Sequence, residues 1–170
     1  MFESFFPDEC VGSAYDIDYE RLYAEGYRGI IYDIDNTLVP HDAPADERSI
    51  DLFARLSDIG FSCLVLSNNK EPRVKSFADD VGAMYIHKAG KPGKAGYLKA
   101  MEKLGTDVDS TIFIGDQLFT DVWGAKRSGI RNILVDQIDE KEEIQIVLKR
   151  ILERIVMWFY RRSRDDRDIV

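Results

Sequence analysis

Short apolar runs alternate with stretches of helical periodicity along most of this chain, and no other feature of the sequence restricts the fold as strongly. Each run has the length of a β-strand, and the five runs are RGIIYD (28–33), FSCLVLS (61–67), AMYIH (83–87), TIFIG (111–115) and NILVD (132–136). Strands that are apolar throughout are typical of parallel sheets covered by helices on both faces. The pattern predicts an α/β fold, a three-layer, doubly wound sandwich around a parallel five-stranded sheet.

The composition fits one compact domain over residues 1–170, with 45% apolar and 32% charged residues. The formal net charge of −8 argues against nucleic acid as a partner, because binding to a phosphate backbone requires a basic surface. No stretch has the ~20 apolar residues of a membrane span, the N-terminus has no secretory signal, and the two cysteines lack CxxC spacing. We therefore expect a cytoplasmic protein.

Both ends of the chain extend beyond the alternating pattern. Residues 1–27 form an N-terminal extension before the first strand, with a helix expected over YERLYAEGY. At the other end, an amphipathic helix is expected over about 140–162, with an apolar stripe. That stripe comprises Ile144, Leu148, Ile151, Ile155 and Phe159.

The end of this C-terminal helix is unusual. Residues 155–160 are all apolar and cover every side of a helix, while seven basic and three acidic residues lie between Lys149 and Arg167. Aromatic residues beside arginines are typical of helices at the surface of an anionic membrane, and also of protein interfaces. Two interpretations stay open: peripheral contact with the inner face of the membrane, or a homodimer.

Polar side chains follow three of the predicted strands, at the edge of the sheet where ligands bind in doubly wound folds. The set comprises Asp33, Asp35, Thr37, Ser67, Asn68, Asp116 and Asp121, with Lys91 ahead of the helix that leads into the fourth strand. Each residue alone is more often a cap, a turn residue or a solvated charge than a catalytic group. Together, carboxylates gathered at one edge repel each other and require a cation or a catalytic use.

This combination indicates a particular chemistry. Oxygen ligands favour a hard divalent cation such as Mg²⁺, whose usual substrate partner is a phosphate. A carboxylate that attacks phosphorus forms an aspartyl-phosphate and divides a difficult hydrolysis into two displacements. Metal, hydroxyl, amide and lysine groups would stabilise the charge on the transferring phosphoryl oxygens.

The sequence resembles the haloacid dehalogenase (HAD) superfamily, whose four motifs occur here in order. They are DIDNT (33–37), SNN (67–69), KPGK (91–94) and GDQLFTD (115–121). The N-terminal segment from FFPDEC to TLVPHD (5–42) more narrowly resembles the YqeG-type branch of subfamily IIIA, which is similar to phosphatidylglycerophosphate phosphatases. The resemblance implies a HAD-like Rossmannoid fold and a phosphatase, with either a lipid phosphate or a small soluble phosphate ester as substrate.

The resemblance also implies roles for the acids. Asp33 would be the nucleophile and a metal ligand, and Asp35 the general acid and base, with its backbone carbonyl also meeting the metal. Asp116 would complete the metal site. Asp121 matches the last acid of the fourth motif and would act more through water or a neighbouring ligand than directly.

The remaining motif residues would support the site and bind the phosphoryl group. By resemblance, Thr37 supports the turn of the first motif, Ser67 and the amide of Asn68 bind the phosphoryl oxygens, and Lys91 neutralises their charge.

The spacing of the motifs leaves no room for a cap domain, since only 34 residues separate Asp33 from Ser67 and 24 separate Ser67 from Lys91. An open site fits a phosphate carried on a large molecule or a lipid surface. Two other functions stay possible on the sequence alone: a receiver-like signalling module that accepts phosphate on an aspartate, and a non-catalytic scaffold. The first has no use for Asp35, and the complete motif set argues against the second.

Overall fold

The protein folds as the alternating pattern predicts, with parallel strands joined by helices. A computed structural model describes residues 3–139 and 144–165. The strands are β1 (Glu9–Val11), β2 (Gly29–Tyr32), β3 (Ser62–Leu66), β4 (Met84–Ile86), β5 (Thr111–Gly115) and β6 (Arg131–Val135). The helices are α1 (Tyr19–Ala24), α2 (Glu47–Ile59), α3 (Glu71–Val81), α4 (Lys94–Leu104), α5 (Trp123–Arg127) and α6 (Ile144–Asp165).

The sheet has the order β1-β6-β5-β2-β3-β4, and every neighbouring pair is parallel. Helices α1, α2 and α3 cover one face and bury residues such as Tyr32 and Phe77, whereas α4 and α5 cover the other face around Phe113. Strand β2 has all four residues buried, as expected for a central strand with helices on both sides. The three-layer α/β architecture is confirmed.

The number of strands was predicted wrongly, because the sheet contains six strands and not five. The additional strand, β1, is only three residues long and lies within the predicted N-terminal extension. Asp8, the residue before β1, helps to hold this strand beside β6. The backbone and side-chain N–H groups of Asn132, in β6, both donate to the Asp8 carboxylate, at 3.0 and 2.7 Å. A strand this short has no periodicity of its own that could be read from the sequence.

The ends of the chain agree in part with expectation. Helix α1 lies within the predicted segment YERLYAEGY. Helix α6 is described from Ile144 to Asp165, three residues beyond the predicted end, and the predicted start at 140 lies outside the described residues. The side chains of Ile144 and Leu148 in the predicted stripe also lie outside the description.

The connections between the motif-bearing strands are short. Only α2 lies between β2 and β3, and only α3, β4 and α4 lie between β3 and β5. Residues 3–139 therefore contain no cap domain. In the described part of the chain, no helix combines the length and the apolar character needed to cross a membrane.

We expect the Asn132→Ala substitution to release β1 from the sheet, because it removes the amide that bonds to Asp8. Hydrogen exchange of the Cys10 and Val11 amides should become at least about tenfold faster, since β1 would then open locally. The amides of β3 serve as the internal control and should keep their protection. Unchanged exchange in β1 would show that backbone pairing alone holds this strand.

Candidate active site

The site lies where the carboxyl ends of β2, β3 and β5 meet, in the centre of the sheet. Asp33 directly follows β2, Ser67 follows β3 and Asp116 follows β5. The backbone N–H of Asp33 donates to the Ile114 carbonyl at 3.0 Å, so the strand pairing continues up to the first acid. This is the edge of a doubly wound sheet at which ligands bind.

Three carboxylates form the centre of the site, and we call Asp33, Asp116 and Asp121 the acidic triad. One oxygen of each lies within 4.8 Å of the others. Their exposed fractions are 6%, 4% and 1%. Buried carboxylates at this distance repel each other strongly, so the cluster requires compensating positive charge.

Lys91 supplies part of that charge. Its ammonium donates to Asp33 Oδ1 and to Asp121 Oδ1, both at 2.7 Å. Burial lowers the pKa of this ammonium, but the charges of Asp121 and Asp33 more than offset that effect, and the pKa is raised overall. Lys91 therefore stays charged at any physiological pH.

Burial has the opposite effect on the acids. It raises the pKa of the Asp33 carboxyl, the Lys91 ammonium opposes the shift, and the charges of Asp121 and Asp116 add to it. Burial likewise raises the pKa of the Asp116 carboxyl to about 6, and the charge of Asp121 contributes. The three carboxylates thus repel each other, and a bound cation would reduce this repulsion.

Two donors orient Asp116. The Thr37 hydroxyl donates to Oδ1 at 2.9 Å. Arg150, from helix α6, donates to Oδ2 at 2.5 Å and to the backbone carbonyl of Asp116 at 2.7 Å. The same guanidinium also pairs with Glu153 at 2.9 Å, and the Glu153 carboxylate in turn accepts from the Leu118 backbone N–H. Helix α6 is therefore joined to the acidic triad by charged hydrogen bonds.

Gly115, the last residue of β5, allows Asp121 to reach the triad. A Cβ atom at this position would lie 2.5 Å from Asp121 Oδ2 and 2.7 Å from its Cγ. The backbone N–H of Gln117 donates to the same oxygen at 3.1 Å. A glycine before the fourth-motif acid is thus a steric requirement of this arrangement.

Asp35 lies apart from the triad although only one residue separates it from Asp33. Its carboxylate accepts from Asn69 Nδ2 at 2.7 Å, from Arg73 Nη2 at 3.0 Å and from the backbone N–H of Asp42 at 2.8 Å. Asn36, directly after Asp35, has φ 63° and redirects the chain beyond the strand. The two motif acids therefore occupy different surroundings, one buried among carboxylates and the other beside a guanidinium.

The second motif has a bracing role that its sequence did not indicate. The Asn68 side chain accepts from the Lys91 backbone N–H at 2.8 Å and donates to the Lys91 carbonyl at 3.1 Å. The Ser67 hydroxyl accepts from the Asn69 backbone N–H at 3.1 Å. The amide side chain of Asn68 fixes the loop that carries the site lysine.

A cleft of about 310 Å³ opens above these residues. Its lining includes every predicted site residue except Thr37, Asp116 and Asp121, which lie deeper. The mouth of the cleft is lined by His41, Asp42, Asn69, Gln117, Thr120 and Lys149. A phosphate group could enter this cleft and meet both Asp33 and Lys91.

The acidic triad fits a hard divalent cation. All three of its side chains offer carboxylate oxygens, and they converge from the ends of β2 and β5 and from a π-helical segment after β5 (Leu118–Val122). An all-oxygen donor set suits Mg²⁺ better than the softer metals that select thiolate or imidazole ligands. Asp121 and Asp116 both have a carboxylate oxygen within 4.8 Å of one on the first-motif acid, Asp33.

Comparison with known proteins points to one family. A HAD-hydrolase-like family model matches residues 88–146. The chain is 36% identical over 159 residues to the "Probable phosphatase YqeG" of Bacillus subtilis, and the match spans 92% of both proteins. It is 29% identical over 149 residues to phosphatidylglycerophosphate phosphatase 1 (chloroplastic/mitochondrial) of Arabidopsis thaliana, a match that spans 77% of this chain and 40% of the plant protein.

The chain belongs to the haloacid dehalogenase superfamily. Within it, the chain falls in the YqeG-type phosphatase branch. The fold agrees with that of the cobalt-bound deoxy-D-mannose-octulosonate 8-phosphate phosphatase of Haemophilus influenzae, with a TM-score of 0.51 and 16% identity over 66% of this chain and 80% of that one.

Two arginines of this HAD protein were not identified from the sequence. Arg73 follows the second motif on α3 and pairs with Asp35, and Arg150 lies on α6, 34 residues beyond Asp116. Arg73 could have been suspected from its closeness to the SNN motif. Arg150 could not be identified from the sequence, because nothing in the pattern distinguishes it from the other basic residues of the same helix.

We expect the Arg150→Ala substitution to destabilise the protein, because it leaves Asp116 buried without its guanidinium partner. Breaking a buried ion pair in this way costs about 3–5 kcal/mol of unfolding free energy. Urea unfolding in the presence of EDTA measures the loss, and Arg154→Ala, an exposed arginine on the same helix, is the matched control. Equal midpoints for both variants would contradict a structural role for the pair.

Proposed function

We propose that the protein is a Mg²⁺-dependent phosphomonoester hydrolase that works through an aspartyl-phosphate on Asp33. The single observation that carries this proposal is the buried acidic triad with the Lys91 ammonium 2.7 Å from Asp33. In this proposal residues 1–170 act as one domain, in the cytoplasm. Asp33, Asp116 and Asp121, with the backbone carbonyl of Asp35, would hold the metal, which would stabilise negative charge on the phosphoryl oxygens.

The first displacement uses Asp33 as the nucleophile. A carboxylate oxygen attacks phosphorus, the bond from phosphorus to the ester oxygen breaks, and Asp35 gives its proton to the departing alcohol. Lys91 binds the phosphoryl oxygens as their charge spreads in the transition state. Ser67 and the backbone amide of Asn68 donate to the same oxygens, and Thr37 keeps Asp116 oriented.

The second displacement regenerates the enzyme. Asp35, now a carboxylate, takes a proton from water as the water oxygen attacks the phosphorus of the aspartyl-phosphate. The bond between phosphorus and the Asp33 oxygen breaks, which releases inorganic phosphate and restores the carboxylate. Arg73 and Asn69 hold Asp35 at the edge of the cleft for both proton transfers.

The proposed substrate is a lipid phosphate such as phosphatidylglycerophosphate. The name of the Arabidopsis relative supports this choice. The cleft supports it too, because residues 3–139 contain no cap that would enclose a small molecule. Small soluble phosphate esters are the competing substrates, and a panel of both kinds assayed with and without EDTA decides between them.

The Asp33→Asn substitution should abolish turnover while the fold is retained. Loss of the nucleophile removes the covalent route, and we expect a decrease of at least about a thousandfold in kcat for an aryl phosphate. Circular dichroism and urea unfolding serve as the controls for folding. Activity close to that of the wild type would remove Asp33 from the mechanism.

The Asp35→Asn substitution should have an effect that depends on the leaving group. With an alkyl phosphate, whose departing oxygen needs a proton, kcat should fall by about 10²–10⁴-fold. With an aryl phosphate the first displacement needs little help, so the aspartyl-phosphate should accumulate and be visible as a burst of phenol. Equal decreases for both substrates, without a burst, would contradict the acid–base role of Asp35.

A further inference from the structure

Helix α6 has two faces, and one of them packs against the other described elements of the domain. Val156 is buried and packs in a cluster with Leu118 and Val122. The ring of Tyr160 is buried and lies 5.3 Å from the ring of Phe6. These positions, four residues apart, define the inner face of the helix.

The opposite face is apolar and exposed. It comprises Ile151 (52% exposed), Leu152 (53%), Ile155 (48%), Trp158 (54%) and Phe159 (40%). Elsewhere among the described residues, exposed large apolar side chains are distributed singly over separate elements, for example Leu98 on α4 and Val108 in a loop. A contiguous exposed patch of this kind marks an interaction surface, whereas isolated residues do not.

The charges around this face are basic. Six basic and two acidic residues lie between Lys149 and Asp165 in a chain whose formal net charge is −8, and of these Arg150 is paired with Asp116 and Glu153 at the site. Arg154, Arg161 and Arg162 are exposed on the helix. The guanidinium of Arg162 lies 5.3 Å from the centre of the Trp158 ring.

We propose that the exposed face of α6 docks onto the surface of an anionic lipid bilayer. The face combines exposed aliphatic side chains, a tryptophan and flanking arginines, which is how helices that lie in a membrane interface are built. The basic charge is concentrated on the element with the apolar patch, while the rest of the chain is acidic and would be repelled by anionic lipid.

A second copy of the chain fits this face less well. A two-fold symmetric dimer brings the same patch of both copies together. The arginines of one copy would then approach those of the other, and like charges placed together across an interface are unfavourable. Anionic headgroups instead complement the arginines while the acyl region accepts the apolar side chains.

Docking would also hold the cleft close to the lipid, a consequence that rests on the proposed function. Lys149, at the mouth of the cleft, and Trp158 lie on the same helix, about 14 Å apart along its axis at 1.5 Å per residue. Arg150 fixes this helix to the acidic triad through Asp116. Nine residues are about two and a half turns, so Lys149 and Trp158 project from opposite sides of α6, and docking would hold the cleft near the lipid across the width of this helix.

Vesicle co-sedimentation tests the proposal. Wild-type protein should bind vesicles of phosphatidylcholine with about 30% phosphatidylglycerol, and binding should weaken at about 1 M salt, where the Debye length falls to about 3 Å. The Trp158→Glu and Ile155→Glu variants should each bind at least about tenfold more weakly, because a carboxylate replaces an inserted apolar group. Leu98→Glu, at an equally exposed position on α4, is the matched control and should bind like the wild type.

Three outcomes would overturn the proposal. They are no binding of the wild type to anionic vesicles, equal binding of all four proteins, and a stable dimer in sedimentation that Trp158→Glu dissociates while vesicles stay unbound. Thermal unfolding checks that the variants fold. We expect them to fold, because Ile155 and Trp158 are both exposed.

Hydrolysis of a soluble aryl phosphate separates this proposal from the proposed function. Trp158→Glu should leave that activity unchanged, since Trp158 is exposed and is not one of the residues that line the cleft. A wild-type protein that binds vesicles but hydrolyses no phosphate ester would refute the enzymatic proposal and leave membrane docking intact. Hydrolysis of the ester without binding to vesicles would refute only the docking proposal.

Discussion

The repulsion among three buried carboxylates is the constraint on which the rest of the site depends. Asp33, Asp116 and Asp121 have oxygens within 4.8 Å of one another, in a region almost closed to water. Such a cluster is stable only if nearby groups compensate its charge. Lys91 and Arg150 do so from two distant parts of the chain, so the site exists only when the loop before α4 and the helix α6 are both in place.

That dependence explains which features were predictable from the sequence. The strands that carry the motifs were predictable, because a strand buried on both faces is largely apolar and because the polar motif residues follow at its carboxyl end. The grouping of Asp33, Asp116 and Lys91 followed from the same reasoning, since parallel strands bring their carboxyl ends to one edge. The roles of these residues in catalysis stay predictions.

Features that depend on long-range pairing could not be predicted in this way. Strand β1 has three residues and is positioned through Asp8 and Asn132, which are 124 residues apart in the sequence. The link from Arg150 to Asp116 likewise depends on how α6 packs, and no local pattern distinguishes this arginine from its neighbours. Asn68 shows a subtler limit: its motif was identified, but its side chain braces the Lys91 backbone.

The open cleft shifts the question of substrate choice from a cap domain to the residues at the mouth and to helix α6. In an enclosed site, contacts all round a small substrate select it; at an open edge, only the phosphate and its nearest atoms meet the protein. The choice of substrate would then depend on the surface at which the protein is held. Helix α6 would provide that selection by keeping the cleft near a lipid surface. It carries Lys149, which lines the cleft, and Arg150, which is bound to the triad, and its outer face is apolar and flanked by arginines. On this view most of the affinity for substrate comes from the contact of α6 with the bilayer, and only part comes from the cleft. Lipid presented in a bilayer should therefore be a far better substrate than the same headgroup free in solution.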